Sequence, residues 1–506
     1  MAEVGDPREG IQPAPTLGQK ALSGVLWMAG ARLSGRCVML VVRLCVLSRL
    51  LGPNNMGVYG YAVLIIGILA IFSQVGLYQA LIQRTGSVER YYSTVWVTAS
   101  LRGLILGALV FMSAPWVGAF FEEPLVIWPM RVLALCPILD GLQSIGLVQI
   151  SRELDFRKLF VLQFGGMLAD AVVSIIVALF ITPTAWALVA GRLAAIIYNL
   201  VSSYALTHVW VRPRFVWSHF LELYRFGFWI FVSGLLTYSL INGGGFVVGK
   251  LLNTSDLGRY QMAYLLATMP SLEIGRIIYS VTFPVFSKIQ AEPERLQVAF
   301  LKSLLLVGIV TFWILACTFT LAQDAVGIIF DERWIFPGAL IPCLAIWGVC
   351  QTVEVNSNSL FMSIGRPNLS SLFQLFMVIT MAILIVPVAL RHGMIGISVL
   401  MAAIGLCALL LRTIVLAKTL RTPVGKVLIN LFVPMAASIL AISSAGFLRQ
   451  FVIQVPALAR LILIGAATST IYALGILVMS RWTSLNITEI IRMVLPIQEP
   501  NRNSAK

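Results

Sequence analysis

The sequence predicts an all-α polytopic membrane protein of about 14 transmembrane helices. Three observations carry that prediction. Of 506 residues, 59% are hydrophobic and only 11% are charged, against about 25% charged in ordinary soluble domains. The apolar residues fall into runs of roughly 20, the length that crosses a bilayer as a helix. The basic residues sit mainly in short connections between those runs, where Lys and Arg are retained on the cytoplasmic side. In that setting the formal net charge of +15 is a signal of topology and does not imply a nucleic-acid partner.

The elements follow in order. Residues 1–20 are polar, carry Pro7, Pro13 and Pro15, and read as a disordered cytoplasmic tail. The apolar stretch from Ala21 is too long for a secretory h-region and has no small-residue cleavage site behind it, so it is the first span. Runs between polar or Gly/Pro breaks then predict spans at Leu22–Leu47, Val58–Ile82, Tyr92–Met112, Leu125–Ile150, Leu159–Ile181 and Ala185–Thr207. Six more follow at Phe226–Val248, Leu257–Phe283, Val298–Leu321, Phe336–Ile364, Leu369–Leu390 and Met394–Ala417, and a final pair at Val427–Phe447 and Leu458–Ser480. With the N-terminus cytoplasmic, the inside loops and tails hold about 22 of the 36 Lys and Arg and the outside loops about 7. The inside clusters are Arg152, Arg157 and Lys158, then Arg212, Arg214 and Arg225, then Arg412, Lys418, Arg421 and Lys426. Outside loops hold Glu122, Glu123, Asp331 and Glu332. Both termini are therefore expected inside.

An internal repeat divides the chain. At an offset of 201 residues, Arg49-Leu50-Leu51, Gly57, Tyr59 and Ala62 align with Lys250-Leu251-Leu252, Gly258, Tyr260 and Ala263, and Tyr78 aligns with Tyr279. At a slightly larger offset Val117-Gly118 and Phe121 align with Val326-Gly327 and Phe330. An even number of helices per copy keeps both copies in one orientation, which predicts two six-helix lobes related by a pseudo-twofold along the membrane normal, with a cavity between them. The expected divisions are an N-lobe at 21–208, an inter-lobe linker at 209–224, a C-lobe at 225–420, extra helices at 421–480 and a cytoplasmic tail at 481–506.

Three stretches resemble a known family. Ser48-Arg-Leu-Leu-Gly-Pro-Asn-Asn-Met-Gly-Val-Tyr-Gly resembles the first loop of the polysaccharide transporter (Wzx-type flippase) branch of the MOP superfamily, which also contains MATE drug exporters and the lipid II flippase. Ser151-Arg-Glu-Leu-Asp-Phe-Arg-Lys resembles that branch's loop after the fourth helix, and Ser363-Ile-Gly-Arg-Pro-Asn the equivalent loop of the second lobe. The resemblance implies a MATE-like V-shaped fold with alternating access. Its implied substrate is a lipid-linked oligosaccharide on its way to exopolysaccharide, capsule or O-antigen in the bacterial inner membrane. It also implies a polymerase and a chain-length regulator as neighbours.

Charge inside the spans marks the candidate site. Arg32, Arg36 and Arg43 lie within roughly 40° of one face of the first span at about 100° per residue. Each costs at least roughly 2.5 to 3.5 kcal/mol to place at mid-bilayer, so such residues face a bundle interior or a watery cavity. The second lobe has Ser233, Thr237 and Gly244 at the same positions, so the architecture does not require the charge. Arginine's planar fork suits phosphate, which makes Arg32, Arg36 and Arg43 candidates for binding the pyrophosphate; the alternatives are a structural ion-pair role and, for Arg43 nearer the outer end of the span, snorkelling to the interface. Arg276 is expected to extend the basic path, with the alternative of a self-neutralising pair with Glu273. Asp140, Asp170, Glu273 and Glu354 are candidate ion-coupling acids or counter-charges. The run Gly243-Gly244-Gly245 is a candidate hinge, or else a close-packing surface.

Other residues read as structural. Trp96, Trp116, Trp128, Trp210, Trp217, Trp334 and Trp482 gather towards span ends as interfacial belts. All seven Cys fall in apolar runs without CxxC pairing and read as packing residues, with no cofactor or metal expected. There is no P-loop, no G-x-S-x-G and no His cluster, and the external connections are short, so an enzyme is not expected. The alternative function is a MATE-like drug exporter. Cationic drugs favour acidic and aromatic pockets, whereas the basic stripe suits an anion.

Overall fold

The computed structural model describes residues 38–72, 88–153, 155–452 and 454–479, with Gly35 and Leu81 besides. The side chains of Phe156 and of residues 218–230 fall outside that description. Both predicted tails, as well as Arg32 and Arg36, lie outside the described residues. Every regular element within them is helical.

A π-helical turn, Val42–Leu47, runs into α1 (Ser48–Phe72), which bends at Gly52 (φ 71°, ψ 170°) just before Pro53. Helix α2 (Glu89–Phe120) follows, then three short helices, α3 (Ile127–Leu133), α4 (Leu135–Gly141) and α5 (Leu147–Glu153). Helices α6 (Phe156–Phe180) and α7 (Ala185–Thr207) pack side by side. The second half comprises α8 (Trp217–Leu251), α9 (Thr254–Lys288), α10 (Pro293–Ile329), α11 (Leu340–Ser363) and α12 (Pro367–Thr419). Helix α12 bends at Gly393 (φ 57°, ψ −144°), between the eleventh and twelfth predicted spans. Helices α13 (Val424–Arg449) and α14 (Ala457–Met479) close the described chain. Both bends need a left-handed or otherwise Gly-only backbone, which glycine adopts without Cβ strain.

Among the described residues, ten stretches are long and apolar enough to cross a membrane, and two of them, Val38–Ile71 and Pro367–Thr419, contain these bends. The predicted count of about 14 therefore resolves into ten such stretches. Helices α9 and α11 are not among them because polar residues interrupt their hydropathy, and α11 turns those residues inward: Thr352, Glu354, Asn356, Ser357 and Ser359 are all buried. A helix in the middle of a bundle need not be apolar all round.

Two predicted boundaries are corrected. The fourth span is three short helices because Pro129, Pro137 and Gly141 interrupt it. Its α4 segment lies so close to α2 that a Cβ on Gly103 would come within 2.3 Å of the Pro137 carbonyl. The linker expected over 209–224 is helical from Trp217 onward. Two residues also change roles. Trp334, expected in an interfacial belt, is 3% exposed and donates from Nε1 to the Ser48 carbonyl at 2.9 Å. Arg412, counted among loop cations, is 2% exposed inside α12.

The repeat is visible atom by atom where α1 and α9 cross. A Cβ on Gly57 would meet the Thr254 carbonyl at 1.9 Å, and one on Gly258 would meet the Pro53 carbonyl at 2.0 Å. Gly57 and Gly258 are repeat partners, and so are Pro53 and Thr254, so the two contacts are exchanged by the pseudo-twofold. The last pair of helices packs on α10. Tyr472 donates to the Ile309 carbonyl at 2.7 Å, and Trp313 Nε1 to Ser469 Oγ at 3.1 Å. At one end Asp324, its side chain 1% exposed, takes Arg460 at 2.6 Å and Arg449 at 3.1 Å. Asp324→Ala removes the carboxylate that ties both Arg449 and Arg460 to α10, and we expect faster protease cleavage between α13 and α14 than in the parent protein.

Candidate functional site

A cavity of about 290 Å³ lies between the halves. Its walls come from the π turn and α1 on one side and from α8 and α9 on the other, with Leu188 of α7. Arg43 projects from the π turn, the kind of irregularity that helices carry at functional sites. It stands 3.6 Å from Asp170 of α6, and Ser174 Oγ donates to Asp170 at 3.2 Å. Asp170 is 6% exposed and is packed against Gly191, where a Cβ would come within 2.5 Å of Oδ1. On the facing wall Arg276 pairs with Glu273 at 2.5 Å, with side chains 58% and 12% exposed. Between these ion pairs the second half contributes the neutral polar groups Asn242, Gln261 and Thr268.

The structure thus brings Arg43, Arg276, Glu273 and Gly245 to one cavity, with Asp170 behind Arg43. Asp140 is apart, exposed on α4 and bonded by Gln143 at 3.0 Å. Glu354 is apart as well. It lies 3.2 Å from Arg412 beside a separate water-sized void of about 10 Å³ lined by Trp347, Gln351 and Met377. Gly243, Gly244 and Gly245 sit in an unbroken stretch of α8. A Cβ on Gly244 would meet Tyr260 Oη at 2.2 Å and one on Gly243 would meet Met381 at 2.9 Å. Gly243 and Gly244 are thus closely packed while Gly245 has ordinary contacts, and the Gly-dependent bends of α1 and α12 fall at Gly52 and Gly393. Sequence reasoning did not single out Asn242 and Gln261 because neutral amides carry no insertion penalty large enough to mark them.

Chemically, two guanidinium groups on opposite walls, each with a carboxylate beside it, make a cavity for an anion. Each acid cancels part of its partner's charge, so a dianion must compete with the carboxylate for the fork. Among the described residues no group of three or more His, Cys, Asp or Glu is arranged to hold a metal, and the six described cysteines are free.

Residues 46–336 match the sequence model of the family described as polysaccharide biosynthesis protein. The chain belongs to that family. This polysaccharide biosynthesis protein is 27% identical over 371 residues to the lipopolysaccharide biosynthesis protein WzxC of Escherichia coli K12, covering 71% of its own length and 73% of the relative's. It is 24% identical over 335 residues to the succinoglycan biosynthesis transport protein ExoT of Rhizobium meliloti, covering 66% and 67%. Its fold is that of the lipid II flippase MurJ in an inward closed conformation, with a TM-score of 0.70 at 14% identity over 90% of this chain and 99% of that one. An outward-facing MATE multidrug transporter of the MOP superfamily matches at 0.54 and 19% identity over 79% and 96%. With that family and that fold, this is a multi-pass membrane protein of polysaccharide biosynthesis.

Proposed function

We propose that this protein flips polyprenyl-pyrophosphate-linked oligosaccharide units across the bacterial inner membrane by alternating access, for assembly of exopolysaccharide, capsule or O-antigen. The observation that carries this reading is the cavity with Arg43 on one wall and Arg276 on the other. A pyrophosphate has oxygens enough to engage both guanidinium forks in competition with Asp170 and Glu273, and the neutral amides lining the same cavity suit sugar hydroxyls. The relatives named above for lipopolysaccharide and succinoglycan support the substrate class.

In this reading both termini are cytoplasmic, the lobes are residues 21–208 and 225–420, and Arg32 and Arg36, whose spacing in the sequence sets them on one helical face with Arg43, bind the pyrophosphate. Asp170 and Glu273 act as counter-charges that a proton or cation neutralises during the cycle. A polymerase and a chain-length regulator of the same export system take up the product.

Arg43→Gln and Arg276→Gln are each expected to slow translocation by about tenfold, the worth of one charge-assisted contact, and the double variant by more. Lipid-linked repeat units should accumulate on the cytoplasmic leaflet when the protein is removed. Wild-type flipping by a correctly inserted double variant overturns the reading, and efflux of cationic drugs without any lipid-linked sugar replaces it with the exporter.

A further inference from the structure

We propose that the cavity is closed on its Gly52 and Asn253 side by a twofold-related latch, in which a cation from each half grips the C-terminal end of a helix in the other. Arg49, next to the bend of α1, donates from Nε to the Ile329 carbonyl at 2.8 Å and from Nη2 to the Ile328 carbonyl at the end of α10. Lys250, at the end of α8, donates from Nζ to the Phe120 carbonyl at the end of α2, at 2.6 Å. The repeat that pairs Arg49 with Lys250 also pairs Phe121 with Phe330, the C-caps that follow Phe120 and Ile329. The two bridges are therefore one contact made twice.

Physical chemistry suits them to a latch. The last carbonyls of a helix have no intrahelical partner and carry the negative end of the helix dipole, so a cation is their natural cap. Each cap here comes from the opposite half of the chain, where it adds nothing to its own helix and joins two bodies. The bridges are also reinforced unequally. Lys250 has Glu122 at 3.3 Å, whereas the backbone carbonyl of Arg49 itself accepts from Arg333, which Asp331 holds at 2.5 Å. The Arg333 guanidinium keeps the Asp331 carboxyl below the usual carboxylate range, so this brace stays charged at neutral pH. Arg49, Arg333 and the Lys250 side chain all retain partial solvent exposure. Contacts of that kind hold a two-state equilibrium without freezing it.

The inference rests on the alternating-access reading for its purpose but not for its test. Asn54 and Ser255 face each other across the same rim, with Oδ1 and Oγ 3.5 Å apart. In a variant carrying Asn54→Cys and Ser255→Cys in lipid nanodiscs, a short water-soluble thiol crosslinker measures how often the rim is closed. Arg49→Gln and Lys250→Gln are each expected to slow crosslinking by about threefold to tenfold, and together by roughly the product of the two. Arg49→Lys and Lys250→Arg, which keep the cation, should remain near the parent rate, with melting temperature checked in every variant. An unchanged crosslinking rate in a folded Arg49→Gln/Lys250→Gln variant overturns the latch. Equal slowing by the charge-conserving variants overturns it too, since packing alone would then be responsible. In the Arg43→Gln/Arg276→Gln variant, whose residues are not part of the latch, loss of flipping with crosslinking at the parent rate overturns the transport reading and leaves the latch standing.

Discussion

Replacing Glu354 with alanine is expected to destabilise the folded protein by about 3–5 kcal/mol, the cost of breaking a buried ion pair by removing one partner. Its partner Arg412 is 2% exposed, lies 3.2 Å away, and rests its guanidinium over the Phe373 ring at 4.8 Å. None of the three guanidinium nitrogens has a hydrogen-bond partner among the described residues, so nothing else would balance the charge. Removing both charges should behave differently. Glu354→Leu with Arg412→Met fills the site with apolar groups and is expected to recover most of the loss, because replacing a whole buried pair is often neutral or better. Thermal melting of the purified single and double variants measures both effects. A single variant that melts with the parent would show that water or an ion already balances Arg412. The stable double variant then separates folding from transport: if it folds but no longer flips, Glu354 belongs to ion coupling.

Enlarging the glycine crossing should be comparably damaging. Gly57→Ala and Gly258→Ala each push a methyl group into a backbone carbonyl, at 1.9 Å and 2.0 Å respectively, and a backbone atom cannot rotate away as a side-chain tip can. Overpacking of this kind costs about 1–3 kcal/mol and more when the main chain must shift. Gly57→Leu is expected to abolish recovery of folded protein. The two alanine variants should have nearly equal effects, because the pseudo-twofold exchanges their surroundings. Together they should fall short of additive, since parting the helices once relieves both contacts. Equal melting of the alanine variants and the parent would mean that α1 and α9 cross less closely than described.

Much of this architecture was legible in the residues. Span positions followed from the hydropathy of the chain, and the repeat from matched letters that turned out to be matched contacts. What escaped was whatever depends on neighbours from distant sequence. Arg412 lies near a helix end, where a snorkelling cation and a buried one share the same local pattern, and only α11 with Glu354 decides between them. Trp334 looks interfacial until the Ser48 carbonyl is brought to it. In the site, Arg43 and Arg276 were visible because charge in an apolar run is conspicuous. Asn242 and Gln261 were not, since an amide in a helix announces nothing until an opposing wall is in place. The glycine run at 243–245 was ambiguous for the same reason: flexibility and tight packing ask for the same residue, and the neighbours Tyr260 and Met381 come from distant sequence.

The attachment of α13 and α14 to α10 has a mechanical corollary. Tyr472, Trp313 and the Asp324 clamp all fasten the pair to one helix of the second half, and α10 is also the helix whose C-terminal end, just beyond Asp324, Arg49 grips. The pair acts as a keel. It adds lipid-facing area and drag to one body only, so when the halves part the lighter body swings while the keeled one stays nearly aligned with the bilayer.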